Sequence, residues 1–202
     1  MVAKCMVLAS IQGSNVTLSA CSIYTCEMTI AVSLLRAVNV GGRQVKKDEL
    51  VAIHKAAGCV DPETFIASGN VVFGTREKDL AKLAARIEKE FERVAGFRSE
   101  AILRTLDELR GVIARNPLGE RDGSKLVVTF LASAPATSEI DIDVAPEELC
   151  VIGREMYVYF PNGQGQSKFP AAKVAKALGG VIGTTRNWNT VNKLIEIAAR
   201  RS

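Results

Sequence analysis

From Lys78 to Val94 the apolar residues Leu80, Leu83, Ala84, Ile87, Phe91 and Val94 recur at the spacing of one helix face, and Gly96 follows as a stop. A stripe this well marked needs an apolar partner surface. The flanking runs supply one: Thr29 to Arg36 is a short apolar run, and ETFIA and NVVF alternate on either side of Ser68-Gly69-Asn70, which is a hairpin pattern. Asp48 to Ala57 carries Leu50, Ile53 and Ala57 on one helical face before Gly58, and Arg98 to Leu103 reads as a strand. The order is therefore β-α-β-β-α-β.

After a connecting helix, Thr105 to Arg115, halted by Asn116-Pro117, the same order recurs. Lys125 to Ala132 is a strand, Ala136 to Ile142 a short helix, Leu149 to Ile152 and Glu155 to Phe160 a hairpin about Gly153-Arg154, Pro170 to Leu178 a helix, and Val181 to Thr185 a closing strand. A last helix begins near Trp188, with Val191, Leu194, Ile195 and Ala198 on one face and Asn187 or Asn189 as its cap. The halves share pattern, not residues. The fold class predicted is α+β: two tandem ferredoxin-like (βαββαβ) units with antiparallel sheets and an appended C-terminal helix, the first unit at 28–104 and the second, with the connecting and final helices, at 105–202. Leu34, Val72, Val127 and Val128 are expected core.

Residues 1–27 differ, with Lys4 and Glu27 their only charges and Ser, Thr and Cys crowded together. They read as a poorly ordered N-terminal extension, with Met28 the natural start; the match to a secretory signal breaks at Gln12-Gly13. The 202 residues are 48% hydrophobic and 24% charged, ordinary for a globular protein, and no apolar run approaches the roughly 18 residues that span a bilayer. Five scattered cysteines and one histidine offer neither a disulfide framework nor a zinc set, so the expectation is reduced thiols, a cytoplasmic location, and neither metal nor cofactor. The net charge of +4 suits an anionic partner without marking a dedicated nucleic-acid binder.

Several separated blocks carry a resemblance. LLRAVNVGG at Leu34 to Gly42, FIASGNVVF at Phe65 to Phe73, Asn116-Pro117, Ser167-Lys168 and TTRNWNT at Thr184 to Thr190 resemble the signature of the bacterial domain of unknown function 1697 family. The likeness runs from about Met28 to the C-terminus. It implies a tandem ferredoxin-like fold in a cytosolic bacterial protein and no particular activity. Ala37 departs from it, standing where many relatives have Gly.

Three loops carry residues suited to an anion. In the first, Gly41 and Gly42 permit left-handed backbone that lets N–H groups converge, between Arg36 with Asn39 on one side and Arg43 on the other; a plain β-to-α connection uses the same residues. The hairpin tip Ser68, Gly69 and Asn70 is counted among the expected ligand-binding residues. The second loop, Asn162 to Lys168, is Gly-rich, but Ser167 precedes Lys168, the wrong order for a nucleotide-binding P-loop, which leaves an oxyanion contact or a mobile loop capped by Ser167. In the third, Arg186, Asn187 and Trp188 open a helix whose first N–H groups favour an anion, unless Asn187 simply caps, Trp188 packs and Arg186 faces water.

The leading expectation is a binding site for a small anion, phosphorylated or carboxylated and nucleotides included, in which Arg36, Lys168 and Arg186 converge. Each charge-assisted hydrogen bond there is worth about 1.5–3 kcal/mol. No residue qualifies as a general acid or base: His54 has no nucleophile partner, and Cys59 and Cys150 read as core. The acidic run from Glu139 to Glu148 lacks calcium-loop spacing and reads as a solvated face. Two alternatives stand. One is a nucleic-acid-binding module using Tyr157 and Tyr159 on a sheet face, although the aromatic RNA-binding sequence is missing. The other is an interaction domain without a ligand. Nothing in the pattern sets an oligomeric state.

Overall fold

The computed structural model describes residues 27–39, 44–66 and 69–202. The expected extension lies outside them but for its last residue, as do Gly41, Gly42 and Ser68. Among the described residues the chain forms eight strands and five α-helices, in the order β1 (Thr29–Leu35), α1 (Lys47–Ala56), β2 (Val60–Phe65), β3 (Asn70–Thr75), α2 (Leu80–Ala95), β4 (Ala101–Thr105), α3 (Leu106–Ala114), β5 (Leu126–Leu131), β6 (Glu148–Ile152), β7 (Glu155–Tyr159), α4 (Ala171–Ala177), β8 (Gly183–Asn187) and α5 (Trp188–Ala199). They build a mixed α+β fold of two four-stranded antiparallel sheets, ordered β2-β3-β1-β4 and β6-β7-β5-β8.

Helix ends follow the local chemistry. The Asp79 carboxylate accepts from the amides of Ala81 and Lys82 at 3.0 Å, and Gly96, in the left-handed region at φ 75°, closes α2. Thr105 and Glu108 make a reciprocal capping box for α3, and the Asn187 side chain caps α5 by accepting from the Asn189 amide at 2.9 Å.

Strand alternation divides the core into layers. Ala31, Leu35, Val71 and Phe73 face α1 and α2, whose Leu50, Ile53, Leu83, Ile87 and Phe91 fill that side of the first sheet. Ile30, Val32 and Leu34 face the opposite way, into a second cluster with Leu106, Leu109 and Val112 of α3, Val191, Leu194 and Ile197 of α5, and Val128, Phe130 and Tyr157 of the second sheet. The two units thus share one apolar core, with α5 touching β1 and β3 of one sheet and β5 and β8 of the other. A fully buried aliphatic side chain contributes about 1.5–3 kcal/mol, so this shared face couples the units strongly.

One expected helix is missing. Residues 136–142 are not helical; Ile140, Ile142 and Val144 sit half-buried against Leu131, Val151, Val174 and Leu178. The reason is the spacing: apolar residues two apart alternate with Asp141 and Asp143, which gives an extended segment one wettable face and no helical stripe. The outer face of the second sheet is therefore covered by α4 and an extended strap, where the first sheet has two helices.

Candidate functional site

Three of the sequence blocks meet at the end of β1. The Leu35 amide donates to the Gly69 carbonyl at 2.9 Å and the Arg36 amide to the Glu100 carbonyl at 3.0 Å. A Cβ on Gly69, where φ is +72°, would stand 2.8 Å from Val38 Cγ2, so this approach requires glycine. Ala37 and Ile66, beside it, also take positive φ, 52° and 51°. That explains why glycine suits position 37, since a Cβ in the left-handed region costs about 1–2 kcal/mol.

Arg186 joins this corner from the second unit. Its Nε–H donates to Asn70 Oδ1 at 2.5 Å, one terminal nitrogen to the Leu35 carbonyl at 2.7 Å, and the other to Thr184 Oγ1 at 2.7 Å and the Thr185 carbonyl at 2.8 Å. Only 7% of the residue is exposed, and burial lowers its pKa to about 10, which leaves it charged at neutral pH. The expectation that Arg186 would stand at the helix end to meet an anion is corrected: strand alternation turns it inward, and β1, β3 and its own strand take up its hydrogen bonds.

A second arginine repeats this arrangement with the units exchanged. Arg104 is the fourth residue of β4 as Arg186 is of β8. It donates to the carbonyl of Leu131, the last residue of β5, at 2.8 Å, to its preceding carbonyl, Leu103, at 2.9 Å, and through Nε to Glu155, the first residue of β7, at 2.9 Å. Arg186 holds the last residue of β1, its own preceding carbonyl and the first residue of β3 in the same way. The backbone agrees: Leu131 donates to Arg154 O as Leu35 does to Gly69 O, and Ala132 to Ile182 O as Arg36 does to Glu100 O. Burial lowers the pKa of Arg104, and Glu155 opposes that shift.

Beside this junction, on the outer face of the second sheet, lies a groove of about 300 Å³. Its floor holds Thr129 and Thr185, paired directly across β5 and β8 with their hydroxyl oxygens 2.8 Å apart. Leu131, Met156, Phe169, Ala175, Leu178 and Val181 supply apolar walls, and Arg36 reaches its edge from the first unit. The Arg36 side chain is 49% exposed and stands 3.5 Å from Glu100.

The remaining expected residues go elsewhere. Lys168 and Ser167 line a different depression with Asp143, Glu147 and Asn162, and Ser167 donates to Glu147 at 2.5 Å, so Lys168 does not share the groove of Arg36. Trp188 is half-buried against the shared core, its Cδ1 2.9 Å from where a Cβ on Gly123 would stand, and thus packs against the turn before β5. Asn187 spends its side-chain oxygen on the α5 cap and donates to the Ser124 carbonyl at 3.2 Å. Asn39 Oδ1 accepts from the Val45 amide at 2.9 Å. Tyr157 is fully buried and donates to the Val112 carbonyl, which removes it from any base-stacking surface. His54 is buried in α1, donating through Nδ1 to Leu50 O at 2.8 Å. Among the described residues no group of His, Cys, Asp and Glu is arranged to hold a metal, and no helix is long and apolar enough to cross a membrane.

Sequence reasoning passes over Thr129, Arg104 and Glu155. Thr129 does leave a signal, as a single hydroxyl inside the apolar run LVVTFL. Arg104-Thr105-Leu106 and Arg186-Asn187-Trp188 also match, each an arginine followed by a cap and a helix start.

The family model described as Protein of unknown function (DUF1697) matches residues 28–157. A solved structure of a conserved bacterial protein from Streptococcus pneumoniae has a similar fold, with a TM-score of 0.65 and 22% identity, covering 86% of this chain and 99% of that one. No curated protein matches the sequence.

Proposed function

The chain belongs to the Protein of unknown function (DUF1697) family, and from its own geometry we propose that it binds a small anionic ligand in the groove edged by Arg36. The observation that carries this reading is a half-exposed guanidinium beside a concave, mostly apolar surface that also offers a hydroxyl pair. Such a setting strengthens a charge-assisted hydrogen bond to a carboxylate or phosphate. Arg186 supports the site from behind by holding Leu35, the residue before Arg36. No His, Cys, Asp or Glu is among the described residues lining the groove, which favours binding over proton-transfer chemistry. The reading includes the finer fold, two ferredoxin-like units descended from one duplicated unit in a cytoplasmic protein. The matching strand orders and the two exchanged arginines support the duplication.

Calorimetric titration of the full chain with small carboxylates and phosphates tests the site. The expected result is saturable binding that Arg36→Ala abolishes and Lys168→Ala leaves intact. Binding that is indifferent to Arg36, or that depends on Lys168 instead, overturns it.

A further inference from the structure

The two units contain equivalent grooves that have diverged, and the divergence speaks to the kind of ligand. In the first unit the equivalent groove runs between α2 and β4, lined by Leu80, Ala84, Leu103 and Ala132 and edged by Glu88 and by Arg154 of the other unit, whose guanidinium is paired with Glu108. Matching strand positions pairs Arg36 with Ala132, each the residue after a central strand. It pairs Thr185 with Leu103, each preceding its buried arginine, and Thr129 with Ser33, each opposite that residue in the sheet. The Ser33 hydroxyl is buried with no hydrogen-bond partner, and Leu103 opposite it offers none. The backbone plan therefore does not require the arginine and the paired threonines. The threonine pair, and an arginine directly after the central strand, are particular to one groove; the arginine at the edge of the other, Arg154, is bound to Glu108.

Their chemistry is that of a single charged head. Arg36 is the cation among the described residues lining the groove, and Glu100 at 3.5 Å already offsets part of its field. Arg186 is committed to the junction and Lys168 to another depression. In the threonine pair one hydroxyl donates to the other, and the acceptor keeps its own hydrogen for a ligand oxygen. Beyond this head the walls are Leu131, Met156, Phe169, Leu178 and Val181, which suit an apolar body and leave a sugar or a second phosphate without partners.

We infer that the ligand is a monocarboxylate with a compact apolar body, its carboxylate at Arg36 and the threonine hydroxyls and its body along the apolar wall, and that nucleotides are rejected. This rests on the groove being the anion site proposed above. The test is titration of the full chain with octanoate, benzoate, inorganic phosphate and AMP, alongside Arg36→Ala and Ala175→Phe, the latter projecting a ring into the groove from an exposed position of α4. Octanoate or benzoate is expected to bind, to lose roughly tenfold or more in affinity with Arg36→Ala, and to be blocked by Ala175→Phe. If phosphate or AMP binds through Arg36 and neither carboxylate does, this inference falls and the anion site stands. Carboxylate binding that Arg36→Ala leaves unchanged also overturns it, by reducing the groove to a greasy surface. If none of the four probes binds, both readings fall.

Discussion

Replacing Arg186 with Met keeps much of the side-chain volume and removes every donor of the guanidinium. The Leu35 carbonyl and Asn70 Oδ1 in one unit, and Thr184 Oγ1 and the Thr185 carbonyl in the other, then lose a charged partner in a site that is 7% exposed. Hydrogen bonds to a charged group are worth about 1.5–3 kcal/mol each, but losses within one cluster are not additive. Each buried acceptor left unsatisfied costs about 1–3 kcal/mol, so with non-additivity a total loss of about 3–5 kcal/mol is expected here. Set against a total stability of about 5–15 kcal/mol for an ordinary domain, it is a large share. Urea unfolding followed by circular dichroism reads it directly, as a midpoint lowered with little change in slope. Arg104→Met should cost at least as much, because it also leaves the buried Glu155 carboxylate without its nearer cation, a change that typically costs about 3–5 kcal/mol. A loss below about 1 kcal/mol for Arg186→Met would refute the view that the guanidinium clamps the units together.

Two further outcomes are expected. Burial lowers the His54 pKa to about 4 from 6.5, so below pH 6.5 the unfolded chain binds a proton that the fold refuses; stability should fall by about 3 kcal/mol between pH 6.5 and 4, and His54→Leu should flatten that limb in pH-dependent urea melts. Gly69→Ala should cost about 2–4 kcal/mol by thermal or urea denaturation, combining left-handed strain with the 2.8 Å approach to Val38, and a neutral result would mean that the hairpin tip yields easily.

Most elements are legible in the sequence because they rest on local periodicity and capping. α2 shows its stripe and its glycine stop, and a cap at Asn187 or Asn189 is recognisable from residue type and place ahead of a helical stripe, with Asn187 the one the structure uses. The strap at 132–147 is harder to read because the first unit suggests a helix there, while Ile140, Ile142 and Val144 alternate as an extended segment does. Arg186 stands out by residue type, but its surroundings do not. Its partners Asn70 and Leu35 lie 116 and 151 residues away in sequence, a separation across which no local pattern carries information. The groove is hidden for the same reason, since Arg36 comes from one unit and Thr129 and Thr185 from the other.

The two buried arginines each grasp a main-chain oxygen, and every residue type at positions 35 and 131 brings that oxygen with it. Mutation at 35 or 131 therefore leaves that part of the grip intact, whereas Asn70, Glu155 and the grasping arginines themselves take part through their side chains. Two halves built on one plan can in this way differ in nearly every residue and still fit one another, provided that each keeps its arginine.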